Sequence, residues 1–119
     1  MIAIAAAHLE DAANIELTDW QSKPTTLTPG QQEATAELWE SPDGKVSTGV
    51  WACTPGVFTS VREGFSETCC ILSGDGMLHS DDGSSVPLRR GTVIALPDGW
   101  RGRWEITETL KKVYTIATT

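Results

Sequence analysis

No apolar run in this 119-residue sequence approaches the ~20 residues that cross a bilayer as a helix, so no membrane partner is expected. Cations are few. Nine Lys and Arg against 16 Asp and Glu leave a net charge of −7, and the nine are scattered, whereas a nucleic-acid surface needs them clustered against phosphates. No nucleic-acid partner is expected either. Cysteine is scarce and odd in number, at Cys53, Cys69 and Cys70. The adjacent pair would point to opposite faces of a strand, a poor fit to a disulfide framework and a better one to a reducing cytoplasm. The opening Met1 to Ala7 has the apolar character of a signal core, but it lacks a basic start and runs at once into His8, Glu10 and Asp11. It reads as mature sequence.

What is present is an ordinary globular composition, 39% hydrophobic with 11 glycines, in a chain long enough to bury roughly two-thirds of its unfolded surface as one domain. Residues 1–33 have weak periodicity and contain Pro24 and Pro29, so they read as an N-terminal arm or cap. From residue 34 onward the chain reads as one domain. Short segments rich in β-branched and aromatic residues are cut there by turn signals such as Ser41-Pro42-Asp43-Gly44, Ser73-Gly74-Asp75-Gly76, Asp81-Asp82-Gly83 and Pro97-Asp98-Gly99. This pattern is all-β, with strands near 36–40, 45–53, 57–62, 67–72, 76–80, 92–96, 101–106 and 109–117. Seven or eight such strands suit a sandwich or barrel. The Ala-rich residues 5–15 admit either a short helix or an exchanged strand.

Two spaced patterns add more. Gly91-Thr-Val-Ile-Ala-Leu-Pro97-Asp-Gly99 reads G-x5-P-x-G and resembles the start of the second cupin motif, while Glu67-Thr-Cys-Cys-Ile-Leu-Ser-Gly74 reads E-x6-G and resembles the end of the first. Between about residues 35 and 117 the sequence is similar to the small cupin family named after (S)-ureidoglycine aminohydrolase, through Gly49-Val-Trp51-Ala-Cys-Thr-Pro-Gly56, Glu67-Thr-Cys69, Gly99-Trp100-Arg-Gly102-Arg-Trp104-Glu105 and Lys112-Val-Tyr114. The resemblance implies a double-stranded β-helix, or jelly-roll barrel, with an N-terminal arm, and by analogy a homodimer.

The resemblance also implies a metal held by three histidines. Their positions fall here on Ser60 and Arg62, or on Val61 and Glu63, and on Gly102. Only Glu67 survives as a ligand, and one carboxylate holds a divalent ion weakly. No metal or other cofactor is therefore expected. Trp104 is expected to fill the barrel beside Gly102, with Trp100 at its mouth.

A carboxylate inside such a barrel must protonate or find a cation, and Arg62 and Lys112 are the candidates. Glu67 with Tyr114 or Lys112 could transfer protons, or Glu67 could be part of a structural ion pair. Cys69, on the same strand face as Glu67, could be a nucleophile beside Arg62 or Lys112, or simply a small buried hydrophobe, the commoner role. His79 is expected near a turn and exposed. Three functions follow. The leading one is a cytoplasmic cupin that binds a small, anionic organic ligand through Arg62, Cys69, Trp100 and Trp104, with Glu67, Tyr114 and Lys112 as the catalytic set if it is a metal-independent enzyme. The second is a metal-dependent aminohydrolase, and the third a structural or regulatory domain with a filled barrel.

Overall fold

The computed structural model describes residues 3–119. One turn of 3-10 helix, Ala12–Asn14, precedes eight strands: β1 (Gln21–Ser22), β2 (Gln32–Glu40), β3 (Val46–Cys53), β4 (Gly56–Val61), β5 (Phe65–Ser80), β6 (Ser85–Leu88), β7 (Val93–Leu96) and β8 (Arg101–Thr118). No helix among the described residues is long and apolar enough to cross a membrane. The Ala-rich segment forms only that single turn, because an isolated stretch so short has too few hydrogen bonds to offset helix nucleation.

Every strand pair is antiparallel, and β5 and β8 organise the rest. The first half of β5 pairs with β7 and its second half with β6, while the first half of β8 pairs with β4 and its second half with β3. β5 and β8 pair with each other along nearly their whole length, with register shifts between Ile71 and Gly76. The expected strands at 67–72 and 76–80 are therefore one strand, as are those at 101–106 and 109–117. The Ser73-Gly74-Asp75-Gly76 signal is real but marks bulges rather than a hairpin. Gly74 has φ +96°, and a Cβ on either glycine would collide with the β8 backbone at Thr109 or Glu105.

The sheet order is β1-β2-β3-β8-β5-β6, with β4 and β7 branching from β8 and β5. β1 and β6, at the ends of that path, do not pair with each other, so the hydrogen-bonded sheet of the described residues is open rather than a closed ring. The main core gathers buried side chains from β3 through β8. Phe58 of β4 stacks on Trp104 of β8 at 5.9 Å, and Trp51 of β3 meets both edge-on. A smaller cluster of Leu17, Ala34, Val50 and Ala52 lies on the other side of the sheet under Leu9, Ala12 and Ile15. There Lys111 Nζ donates to the carbonyls of Ala13 (3.0 Å) and Ile15 (2.6 Å), pinning the arm.

Candidate functional site

Along β8 the even-numbered residues from Trp104 to Tyr114 that are buried, namely Trp104, Ile106, Leu110, Lys112 and Tyr114, share the inward face set by the two-residue strand period. Lys112 is the anomaly among them, a cation only 5% exposed. Its partner is Glu67 of β5, 3% exposed and in register with Ile116. Lys112 Nζ lies 2.7 Å from Glu67 Oε2, a close ion pair. Oε1 accepts two hydrogen bonds from Arg62, from Nε at 3.1 Å and Nη2 at 2.5 Å. Burial pushes the Glu67 carboxyl up, but the Lys112 ammonium and the Arg62 guanidinium overcome that and hold it below the usual carboxylate value. Glu67 is an anion here.

Both cations are themselves fixed. Lys112 Nζ sits 4.4 Å from the Trp51 ring centre and 4.3 Å from that of Trp104, so each indole face offsets part of the lost hydration. Arg62 follows the end of β4 and is tied by its backbone N–H to the Trp100 carbonyl at 2.8 Å. Its Nη1 donates to Ser60 Oγ, and its guanidinium lies 5.5 Å from the Phe65 ring centre. Two cations on one carboxylate leave a surplus of one positive charge.

These groups line a cleft of about 290 Å³. Trp51, Phe58, Phe65, Trp104 and Ile116 form its apolar surface. Lys23 enters from the segment before β2, where its Nζ lies 4.6 Å from the Phe58 ring centre and 3.2 Å from Glu33 Oε1, which also accepts from Trp51 Nε1 at 2.9 Å. That segment is held down by Leu27 N–H on the Val57 carbonyl (2.8 Å) and by the buried Gln31, whose Nε2 donates to the Thr54 carbonyl at 3.1 Å. Gly56, at φ +144°, leaves the space that Gln31 and Thr28 occupy.

Of the residues picked from the sequence, Glu67, Arg62, Lys112, Tyr114 and Trp104 meet at this cleft. Cys69 and Trp100 are not among its lining residues. Cys69 shares the Glu67 face but is buried beneath the surface, and burial pushes its thiol up to about 11, which makes it a poor nucleophile. Trp104 is fully buried in the core, while Trp100 is half-buried against that core with its ring over Gly102, 5.9 Å from the Arg62 guanidinium, and its Nε1 donates to Ser80 Oγ at 2.9 Å. His79 lies near the end of β5 beside the expected turn, but it is half-buried against Ser85 and Glu105 rather than exposed. Lys23, Thr35, Ser47, Trp51, Phe58, Phe65 and Ile116 were missed; Trp51 reads from the sequence alone as core or interface packing. The alternation of Phe58 and Ser60 along β4, carried on to Arg62 just past its end, was a usable signal; nothing local marks Lys23.

The metal implied by the cupin resemblance does not fit this donor set. Among the described residues no three His, Cys, Asp or Glu side chains converge. The single carboxylate of the cleft is occupied on both oxygens by cations, and a divalent ion would have to displace them while adding charge to a site already positive.

Residues 40–114 match the model of the EutQ-like cupin domain, and the chain belongs to that family of cupins. A comparison with functionally curated proteins gives no match. Among solved structures it is similar to a protein of unknown function from Pseudomonas syringae pv. tomato, at 22% identity and a TM-score of 0.74 over 88% of this chain. The chain spans 46% of that protein's length. It is also similar to the EutQ protein of Clostridium difficile, at 16% identity and a TM-score of 0.66 over 87% of this chain and 81% of the other. A third likeness is to a predicted oxalate decarboxylase from Thermotoga maritima, at 19% identity and a TM-score of 0.69 over 97% and 100% of the two chains. At these identities the likeness defines the fold. The narrower resemblance to the ureidoglycine aminohydrolase-like family is carried only by the sequence motifs.

Proposed function

We propose that this cupin domain binds a small organic anion in the cleft, without a metal, through Arg62 and Lys112. The observation that carries this reading is the charge count: Arg62, Lys112 and Glu67 sum to +1 in a place largely shut off from water, and an anion is what such a place lacks. The aromatic surface of Trp51, Phe58 and Trp104 supplies the apolar wall that small-ligand sites usually have. In this reading residues 34–119 are the ligand-binding domain and residues 1–33 an arm that contributes Lys23. The exposed indoles of Trp20 and Trp39 support pairing of two copies, and three free thiols suit a cytoplasmic setting.

Two of the groups proposed for proton transfer are held in one protonation state: the two cations keep Glu67 ionised, and burial together with Glu37 and Glu67 keeps the Tyr114 phenol protonated. That favours binding over acid–base catalysis. The test is titration of the protein with isosteric pairs, one member a carboxylate and the other its primary amide, read by tryptophan fluorescence and by thermal shift. Carboxylates are expected to bind and to raise Tm, more weakly as salt rises. Equal binding of the amides, or no binding of any carboxylate, overturns the proposal.

A further inference from the structure

Tyr114 is the one tyrosine in the sequence, and it lines the cleft. The ring lies on the inward face of β8 opposite Gly49 of β3 and Cys69 of β5. Gly49 exists for it: a Cβ there would stand 2.8 Å from Tyr114 Oη and 2.5 Å from the Ala36 carbonyl oxygen. The residue is 9% exposed and lines the cleft, and among the described residues its Oη makes no hydrogen bond. The oxygen keeps contact with solvent, so a ligand entering the cleft can reach it in place of water. Its raised proton affinity means that what it offers is a donor.

The register fixes what lies next to that donor. Lys112 and Glu67 touch although they stand four residues apart along the ladder, since Glu67 faces Ile116. Their contact therefore spans the level of Tyr114, midway between 112 and 116 on the same face. Cations and phenol flank one short stretch of cleft.

We infer that the bound anion is a short oxo- or hydroxycarboxylate, its carboxylate held by Arg62 and Lys112 and its neighbouring oxygen accepting the hydrogen bond of Tyr114. This rests on the anion reading above and adds a second point of recognition, with Tyr114 as the residue that sets specificity. The probes are matched acids with and without the oxygen, pyruvate against propionate and acetoacetate against butyrate, titrated calorimetrically into the wild-type chain and into Tyr114→Phe. The oxygen-bearing acid is expected to bind about tenfold tighter to the wild type, the effect of one well-placed hydrogen bond to a donor that has no protein partner, and that ratio is expected to fall to about one to three in Tyr114→Phe. A second readout needs no variant: as the sole tyrosine, Tyr114 gives a single ring Cζ resonance, which pyruvate is expected to shift and propionate to leave nearly still. If the wild type does not distinguish the pairs, or Tyr114→Phe keeps the full ratio, the inference fails while anion binding stands. If none of the four acids binds, the anion reading fails with it.

Discussion

Replacing Glu67 by Gln keeps its shape and removes one charge, and the surroundings decide how much that costs. Arg62 and Lys112 would then face each other with no counter-ion in a site where Glu67 and Lys112 are 3% and 5% exposed. Breaking a buried ion pair from one side costs about 3–5 kcal/mol, because the charge left behind stays desolvated. The opposite change, Lys112→Met, leaves a balanced Arg62–Glu67 pair, and methionine packs well between the indoles of Trp51 and Trp104. It forfeits the cation–π contacts, about 1–2 kcal/mol. The order is thus the reverse of what counting contacts suggests, since Glu67→Gln must be the more damaging even though it removes no atom's volume. For a domain of this length, thermal denaturation should show Tm falling on the order of 10–25 °C for Glu67→Gln and less than half as far for Lys112→Met. Equal losses, or a Glu67→Gln loss below about 1 kcal/mol, would refute the charge accounting.

Acid should act through the same group. Folding lowers the Glu67 proton affinity below its ordinary value of 4.5, so the unfolded chain binds the extra proton; this part of the stability is complete above that value and disappears as pH falls beneath it toward the lower folded-state value, as denaturant midpoints between pH 7 and 3 would record. Gly49→Ala should cost about 1–3 kcal/mol and weaken ligand binding together with stability, since the added methyl meets both the β2 backbone and Tyr114 Oη; a variant of wild-type stability and affinity contradicts this. Burial pushes the Cys53 thiol up to about 12 and that of Cys69 to about 11. An aromatic disulfide reagent at pH 8 should therefore titrate only Cys70 in the folded chain, and two or more reactive thiols before unfolding would contradict the burial of the others.

The strand-rich fold and the middle of the site are legible in the sequence because both rest on short-range rules. The two-residue period puts Glu67 and Cys69 on one strand face, the cupin-motif resemblance turns that face toward the barrel, and a carboxylate inside requires cations, which leads to Arg62 and Lys112. Local rules fail where a tertiary contact reinterprets a signal. Ser73 to Gly76 spells a turn in any chain; only the approach of Thr109 and Glu105 from β8 makes it a bulge within a continuous strand. Trp100 and Trp104 share a parity, but Gly102 between them leaves room that the Trp100 ring takes, so that Trp104 lines the cleft and Trp100 does not. Lys23 lies beyond the reach of periodicity, because its place depends on Gln31 and Gly56 anchoring a segment that has no pattern of its own.

The most direct measurement is the carboxyl Cδ resonance of Glu67 in glutamate-labelled protein, assigned by its loss in Glu67→Gln and followed from pH 8 to pH 3. An ionised carboxylate clamped by Arg62 and Lys112 predicts a flat trace down to about pH 5 and a midpoint under 4.5. A midpoint above 4.5 would mean that burial has outweighed both cations, and the charged cleft described here would not exist.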